Sequence, residues 1–355
     1  MNQPWTPPLP SQSGLGTVSP VVEHVGLMRL LRFHAEGPGG VGVFSRFLVL
    51  LAFWHLVPGC AADPVPGAPS DPPSYPLVAD GRWLLQSANP RFDASALLRL
   101  PDGRLLTVND KQLPPCSIEL GTNGTARLVP QAALFPLESV RATTPNPRYA
   151  PDLEGLARDT EGRLYLCTEG ERWIFRTGGD GGPVERLAID WTPVQKWFST
   201  KDGNASWEGV AVGGSRLYLA NERSVGRIVV VDLPTLRVTD DFQVAPVGQT
   251  RSDVHYSDLC WYAGELWVLC RDIRKVLRVN PESHAVLAEF DFAAIELDPQ
   301  NAYLSPLPYG FMEGLSVDAT HLWLVVDNNG LPRRTSPTDL RPLLFRCPRP
   351  DLSRP

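Results

Sequence analysis

Short apolar runs separated by turn residues recur along the chain from about residue 95 to residue 347. In the clearest copy, a run opens at Glu154-Gly155, turns at Glu161-Gly162, and is followed by a second run, Leu164–Cys167, that ends at Glu169. Apolar runs of this length with tight turns between them are typical of antiparallel strands. The pattern therefore predicts a meander of two or three short strands in this segment.

The same unit recurs five times with nearly constant internal spacing. Its opening positions are Ser95, Glu154, Glu208, Asp258 and Glu313, and in each copy a second acidic position follows at almost the same distance, as Glu169 follows Glu154. The openings recur at intervals of roughly 50–60 residues, and strand repeats of about this length are typical of propeller blades. The sequence therefore predicts an all-β protein, a single β-propeller of four-stranded antiparallel meanders.

The number of blades depends on strands outside the five clear repeats. Leu77–Gln86, Ala126–Val129 and Leu134–Val140 are apolar runs that fit further strands. Combined into one more unit, they make six blades, which is the number that we predict. Five blades are the alternative.

The segment 1–60 is expected to be an N-terminal extension followed by an export signal, because residues 1–27 resemble neither a domain nor a targeting signal and the signal pattern begins at Met28. Several arginines precede a short apolar run, Phe47–Val57, which suits a signal-peptide core and is too short to cross a bilayer. The run ends at Gly59-Cys60, which resembles a bacterial lipobox. We expect translation to start at Met28 and the mature chain to begin at a lipidated Cys60. An ordinary signal peptide is the alternative.

Residues 61–76 are rich in proline and lack apolar periodicity, so they are expected to form an extended tether. The propeller is expected at 77–348, with a tail at 349–355. By resemblance to the sorting signals of Gram-negative bacteria, alanine at position 61 favours the outer membrane. We therefore expect an exported monomer held in the cell envelope by its lipid anchor. The net charge of -6, without a basic cluster, argues against a nucleic-acid partner.

The opening positions of the repeats carry candidate metal ligands. The first strand of each propeller blade lines the central channel, so Glu154, Glu208, Asp258 and Glu313 should converge there, with Ser95 as a neutral fifth position. Clustered carboxylates repel one another unless they are protonated or share a cation. A set of oxygen ligands without histidine favours Ca²⁺, then Mg²⁺ or Mn²⁺, over zinc. For any single Glu-Gly pair, a strand-opening turn with a solvated carboxylate is the alternative.

A second acidic ring should lie on the same face, further from the axis. Its members are Asp110, Glu169, Glu222, Asp272 and Asp327. The simplest interpretation is that these acidic residues are there because their side chains stabilise turns. The alternative is that they contact a substrate or support the metal ligands. His255 is the one histidine close to a predicted opening, and it is the candidate for a general base. Arg223 and Arg271 are candidate contacts of an anionic ligand, or ordinary ion-pair partners of Glu222 and Asp272.

Cysteine usage leaves the disulfide pattern open. Besides Cys60, the chain contains Cys116, Cys167, Cys260, Cys270 and Cys347. Cys167 falls inside a strand and is expected in the core. A Cys260–Cys270 bridge is not expected, because the predicted turn pairs these residues with other partners. A Cys116–Cys347 bridge, which would join the first and last repeats, stays open.

The repeats also carry a resemblance to known families. The segments are DLEGLARDTEGRLYLCTE, WEGVAVGGSRLYLANE, YSDLCWYAGELWVLCRD and GFMEGLSVDATHLWLVVDNN. They resemble blades of the SdiA-regulated family and of the propellers described as esterase-like activity of phytase, over roughly residues 93–347. The resemblance implies a calcium-binding propeller, often exported or lipid-anchored, with the Glu-Gly positions as channel ligands. Asp258 lacks the following glycine and Ser95 lacks the acid, so the number of protein ligands stays open.

Two functions from different classes follow. The one that we favour is a metal-containing propeller that binds a small anionic ligand or another envelope protein without turnover. The alternative is a metal-dependent hydrolase of phosphate esters, carboxyl esters or lactones. The sequence contains no Gly-x-Ser-x-Gly elbow and no His-Glu-x-x-His motif. Candidate ligands that face an open pocket would favour the hydrolase.

Overall fold

The computed structural model describes residues 71–89, 91–110, 112–146, 148–178, 182–203, 205–223, 226–251, 254–306 and 310–352. This part of the chain is built almost entirely of strands. Its helical elements are α1 (Leu137–Ala142), α2 (Ala293–Glu296) and one 3₁₀ turn, Gln195–Trp197. Among these residues, no helix combines the length and the apolar character that a membrane crossing requires.

The strands follow one another in groups of four. Two strands come first, β1 (Ser74–Pro76) and β2 (Gly81–Gln86). The first two groups are β3 (Ala94–Arg99), β4 (Leu105–Asn109), β5 (Gln112–Leu120) and β6 (Thr125–Pro130), then β7 (Leu153–Arg158), β8 (Leu164–Thr168), β9 (Ile174–Thr177) and β10 (Val184–Arg186). The next two are β11 (Trp207–Gly213), β12 (Arg216–Asn221), β13 (Arg227–Asp232) and β14 (Arg237–Phe242), then β15 (Tyr256–Tyr262), β16 (Glu265–Cys270), β17 (Lys275–Val279) and β18 (Val286–Asp291). The last strands are β19 (Met312–Val317), β20 (His321–Val326) and β21 (Leu343–Pro348).

The central strands are apolar on both faces because a neighbouring sheet covers each face. In β12, Leu217 and Leu219 pack into the cluster shared with β7–β10, whereas Tyr218 and Ala220 pack into the cluster shared with β15–β18. Successive side chains of a strand point to opposite faces, so one strand serves two cores. This explains why these strands appear in the sequence as continuous rather than alternating apolar runs.

The sheets form a closed ring of five blades. The groups β7–β10, β11–β14 and β15–β18 each form an antiparallel sheet. Strand β2 pairs with β21 in the last blade and, in parallel, with β6 of the first blade, so these two blades belong to one eight-stranded sheet. The innermost strands β3, β7, β11, β15 and β19 contact one another in that order, and β19 returns to β3. The propeller and its four-stranded meanders are as predicted. The six-blade prediction is wrong for the described residues, because β2, expected in a sixth blade, completes the fifth.

Two further expectations are corrected, and one open alternative is answered. Leu134–Val140 does not form a strand, since residues from Leu137 onward form α1, which begins after Pro136, a residue that favours helix starts. The tether does not extend to residue 76, because β1 pairs with β18 in parallel. All five described cysteines are free thiols, so the Cys116–Cys347 bridge is not formed. Cys60 and the rest of the signal region lie outside the described residues.

Candidate functional site

All five inner strands begin at the same end of the central channel, which we call the mouth. Each contains a β-bulge at its start, where the pairing register shifts by one residue. Bulges re-aim side chains and recur beside functional sites. The bulged residues are Ser95, Glu154, Glu208, Ser257 and Glu313. All five are less than a tenth exposed.

This register corrects the alignment of the fourth repeat. The bulged residue of β15 is Ser257, so Asp258 occupies the position of the glycines that follow the glutamates. Its two carboxylate oxygens accept the backbone N–H groups of Leu259, at 2.8 Å, and Leu315, at 2.7 Å. Asp258 therefore links the inner strands of two blades, whereas the sequence placed it among the metal ligands.

The glycine after each glutamate makes room for the next inner strand. A Cβ atom on Gly155 would lie 2.8 Å from the backbone nitrogen of Val210, and one on Gly209 would lie 2.6 Å from the Cα atom of Asp258. A Cβ atom on Gly314 would lie 2.6 Å from the carbonyl carbon of Ala96. Each of these backbones belongs to the neighbouring blade. The Glu-Gly pairs thus combine a side chain directed at the mouth with close packing of strands around the channel.

The acidic residues at the mouth line one pocket of about 180 Å³. Its walls contain six carboxyl groups and two guanidinium groups, together with a serine and an asparagine. The lining residues are Ser95, Asp110, Glu154, Glu169, Glu208, Arg223, Arg271, Glu313, Asp327 and Asn329. Members of both predicted acidic rings therefore share this pocket.

Two of these glutamates have no polar partner among the described residues. Glu154 and Glu208 are more than nine-tenths buried, and neither carboxylate forms a hydrogen bond or ion pair with any described residue. Burial, followed by the charge of Glu208, raises the pKa of Glu154 well above its usual range. Burial and the charge of Glu222 raise the pKa of Glu208 in the same direction, although Arg271 opposes the shift. Both carboxylates would be stabilised by a cation or by a proton.

Glu154 also belongs to a cluster of three carboxylates with the spacing of a metal site. Asp110, Asp152 and Glu154 each offer one oxygen, and these oxygens lie within 4.8 Å of one another. Asp152 was not among the ligands predicted from the sequence. It stands two residues before Glu154, and residues two apart on an extended chain share a face. That spacing was the available signal.

The two arginines of the pocket form ion pairs with three carboxylates. Arg271 pairs with Glu222 and with Glu313, and Arg223 pairs with Glu222 and, at 3.0 Å, with Asp202. Glu222 is fully buried between the two guanidinium groups. Both guanidinium groups that line the pocket are therefore paired with carboxylates.

Comparison with known proteins identifies the family of this chain. The sequence profile described as "Phytase-like: Esterase-like activity of phytase" matches residues 92–330, about two thirds of the chain. The chain belongs to the phytase-like family. The match covers all five inner strands with their bulges and both acidic rings, so the described mouth is part of the family's shared region. No curated protein sequence is matched.

Solved structures similar to this phytase-like chain have low sequence identity to it. Glutaminyl cyclase of Myxococcus xanthus is 15% identical, with a TM-score of 0.51, over 78% of this chain and 97% of the cyclase chain. The PQQ-bound aldose sugar dehydrogenase of Streptomyces coelicolor is 14% identical, with a TM-score of 0.42, over 77% and 98% of the two chains. The likeness to the cyclase supports the fold, and identities this low carry no statement about activity.

The remaining predicted residue of the phytase-like site lies apart from the pocket lining. His255 Nδ1 is 2.9 Å from Asp272 Oδ2, and neither residue lines the pocket. Burial opposes ionisation of Asp272, but the hydrogen bond from His255 and its charge hold the pKa of Asp272 below its usual value. The second ring is thus divided, with Asp110, Glu169 and Asp327 in the pocket and Asp272 beside it.

Proposed function

We propose that this protein is a divalent-cation-dependent ester hydrolase whose site is the mouth pocket. The observation that carries the proposal is the carboxylate cluster Asp110, Asp152 and Glu154, two members of which line an open pocket beside Glu208, which has no described polar partner. A cation held only for structural support would be enclosed by its ligands rather than exposed to a pocket. The family description, esterase-like activity of phytase, supports the same class of reaction.

The residues fit a hard cation. All candidate ligands are carboxylate oxygens, and Ca²⁺ takes six to eight oxygen ligands in flexible geometry, some of them water. Mg²⁺ and Mn²⁺ fit less well, since Mg²⁺ demands near-octahedral geometry. Burial and the neighbouring acids, which raise the pKa of Glu154, supply the electrostatic reason for binding. We propose Asp110, Asp152 and Glu154 as the direct ligands.

The cation and the side chains of the pocket would have different roles in hydrolysis. A bound cation would supply polarisation of the ester oxygen. Glu208 faces the same pocket without a described partner, and its raised pKa suits a general base that takes a proton from water. Arg271 holds Glu313 and Glu222 in place, and its guanidinium group adds positive charge on the opposite wall.

The test combines binding with turnover. Calcium titration by calorimetry is expected to show one site in the wild type and a large loss of affinity in Glu154→Gln. Hydrolysis of 4-nitrophenyl acetate and 4-nitrophenyl phosphate is measured with Ca²⁺ and with a chelator. We expect chelator-sensitive hydrolysis of at least one ester, and a loss of about 100-fold or more in kcat with near-normal calcium binding in Glu208→Gln. Glu161→Gln, an exposed change in a turn at the far end of the channel, is the matched control and should alter neither measurement.

A binding module without turnover is the second candidate. It is favoured by the position of His255, which is paired with Asp272 outside the pocket lining, so that no described imidazole stands ready as a base in the pocket. Calcium binding without hydrolysis of either ester would support this candidate and overturn the hydrolase. Absence of calcium binding in the wild type would overturn both.

The cellular setting remains a proposal on sequence grounds. We infer an exported monomer, anchored through Cys60 in the cell envelope and directed to the outer membrane. The apolar run before Cys60 and the alanine at position 61 support it. A mouth that binds Ca²⁺ would suit a compartment outside the cytoplasm.

A further inference from the structure

The mouth pocket is smaller than the cavities of about 300–1,000 Å³ that usually bind whole organic ligands. Its volume is about 180 Å³. A water molecule takes about 30 Å³ in the liquid, so the pocket has room for about six waters. A cation, its water ligands and the acid group of an ester would fill it. The alcohol part of any larger substrate must therefore lie outside the mouth pocket.

A second cavity lies on the same face of the propeller, beside the mouth. It has a volume of about 680 Å³ and lies between the segment that leads from β2 to β3 and the segment 336–342 before β21. We call it the seam cavity, because it lies where blade five meets blade one. Its volume is within the range of about 300–1,000 Å³ that is usual for pockets that bind small molecules.

The seam cavity and the mouth pocket are lined by residues that are close to one another along the chain. Phe92 lines the seam cavity and Ser95 lines the mouth pocket, and three residues of extended chain span about 10 Å. On the other side, Asn329 lines the mouth pocket. The next residue, Gly330, lies so close to Arg91 that an added Cβ atom would be 3.2 Å from Arg91 Nε. A substrate bound in the mouth could thus extend into the seam cavity past the side chain of Arg91.

The charges of the seam cavity are balanced. Arg341 forms two hydrogen bonds with Asp339, at 2.7 and 2.9 Å, and Arg91 Nε lies 2.6 Å from Asp93 Oδ2. The floor contains Leu85 and Phe92, which are buried. Hydroxyl groups of Ser87 and Thr338 stand among the remaining lining residues. Such a wall favours an uncharged organic group with both apolar and hydrogen-bonding surface.

We propose that the seam cavity binds the uncharged alcohol part of the ester whose acid part binds in the mouth pocket. This inference rests on the proposed hydrolase function and names the shape of its substrate. It makes the seam cavity a specificity site, separate from the residues that bind the cation or accept the proton.

The test is to fill the seam cavity with large side chains introduced at its rim. Thr338→Trp and Ser87→Trp introduce an indole from the two sides, and Thr160→Trp, at an exposed position at the far end of the channel, is the control. Each protein is assayed with a small and a large ester of the same acid: vinyl and 2-naphthyl acetate, or methyl and 2-naphthyl phosphate, according to the acid that the wild type cleaves. Binding of 2-naphthol is measured separately by calorimetry.

We expect each cavity-filling variant to lower kcat/KM for the 2-naphthyl ester about tenfold or more, mainly through KM, and to change the small ester less than twofold. Equal effects on both esters, or none on either, would overturn the seam-cavity proposal while leaving the hydrolase intact. If the wild type cleaves no ester, the proposed function fails. Binding of 2-naphthol to the wild type and its loss in Thr338→Trp would then still support the cavity, and absence of that binding would overturn it.

Discussion

Replacing Gly209 with alanine should destabilise the propeller without touching any side chain of the mouth. The new Cβ atom would lie 2.6 Å from the Cα atom of Asp258 and 2.7 Å from the backbone nitrogen of Leu259. Ordinary van der Waals contact begins near 3.4 Å, so the two backbones must separate by nearly 1 Å. The neighbouring strand is one of five in a closed ring, and the carboxylate of Asp258 accepts two backbone N–H groups. This strand therefore has little freedom to move away from Gly209.

Overpacking of this kind costs about 1–3 kcal/mol or more. Alanine also restricts the unfolded chain, which stabilises by about 0.4–1 kcal/mol and offsets part of the cost. We therefore expect a net loss of about 2 kcal/mol in the free energy of unfolding. The assay is urea unfolding followed by tryptophan fluorescence, with an unchanged m-value as evidence that the unfolded state is the same.

Gly170→Ala is the matched control, because nothing lies within 4 Å of its added Cβ atom and its φ is not in the left-handed region. It should leave stability unchanged or raise it by the unfolded-state contribution alone. If Gly209→Ala is as stable as Gly170→Ala, the close packing of inner strands is not what the Glu-Gly pairs provide.

Three further outcomes are expected. Chelation of Ca²⁺ should lower the melting temperature of the wild type but not of Glu154→Gln, since a ligand at 100 times its dissociation constant stabilises by about 2.7 kcal/mol; equal responses would place the cation elsewhere. Asp318 accepts the N–H groups of Thr320, His321 and the Trp323 indole, and although burial opposes it, these bonds lower its pKa to about 2. Its folded pKa is thus below the unfolded value, so its contribution of about 2 kcal/mol is present above about pH 4 and is lost as the pH falls towards 2. The pH dependence of unfolding should show this loss in the wild type and lack it in Asp318→Asn, and identical profiles would contradict the assignment. Cys60→Ser should abolish detergent partitioning of the exported protein, and partitioning that persists would rule out the lipid anchor.

The sequence predicted the parts of the fold that repeat locally. Apolar runs and turns with a nearly constant internal spacing located the inner strands, because strand pairing within a blade involves only neighbouring segments. The blade count was missed because β2 pairs with β21, a partner at the other end of the chain. Leu134–Val140 was mistaken for a strand since a short apolar run does not distinguish strand from helix.

The candidate site was predicted in outline and missed in its register. Three glutamates of the inner ring line the pocket, but acidity alone aligned Asp258 with them, whereas the bulge aligns Ser257. A one-residue slip exchanges the two faces of a strand, so chemical similarity could not replace the pairing pattern. The spacing of Asp152 and Glu154 was a local signal, but their approach to Asp110 joins two blades and no local spacing encodes it.

Closure of the ring by β2 has a consequence for how the chain folds as it is made. The ion pair of Asp80 and Arg346 joins residues 266 positions apart, and β2 cannot take its place beside β21 until nearly the whole chain has been synthesised. Contacts between residues this distant in sequence form late, and they make folding slow. The entropy cost of closing the long loop comes before the stabilisation that the contacts provide. Until then the edge of β2 that faces β21 is unpaired, and such edges are prone to pair with other chains. An export route that keeps the chain unfolded until it emerges would let both ends meet in one compartment, and a chain stalled short of β21 would be left without its closing blade.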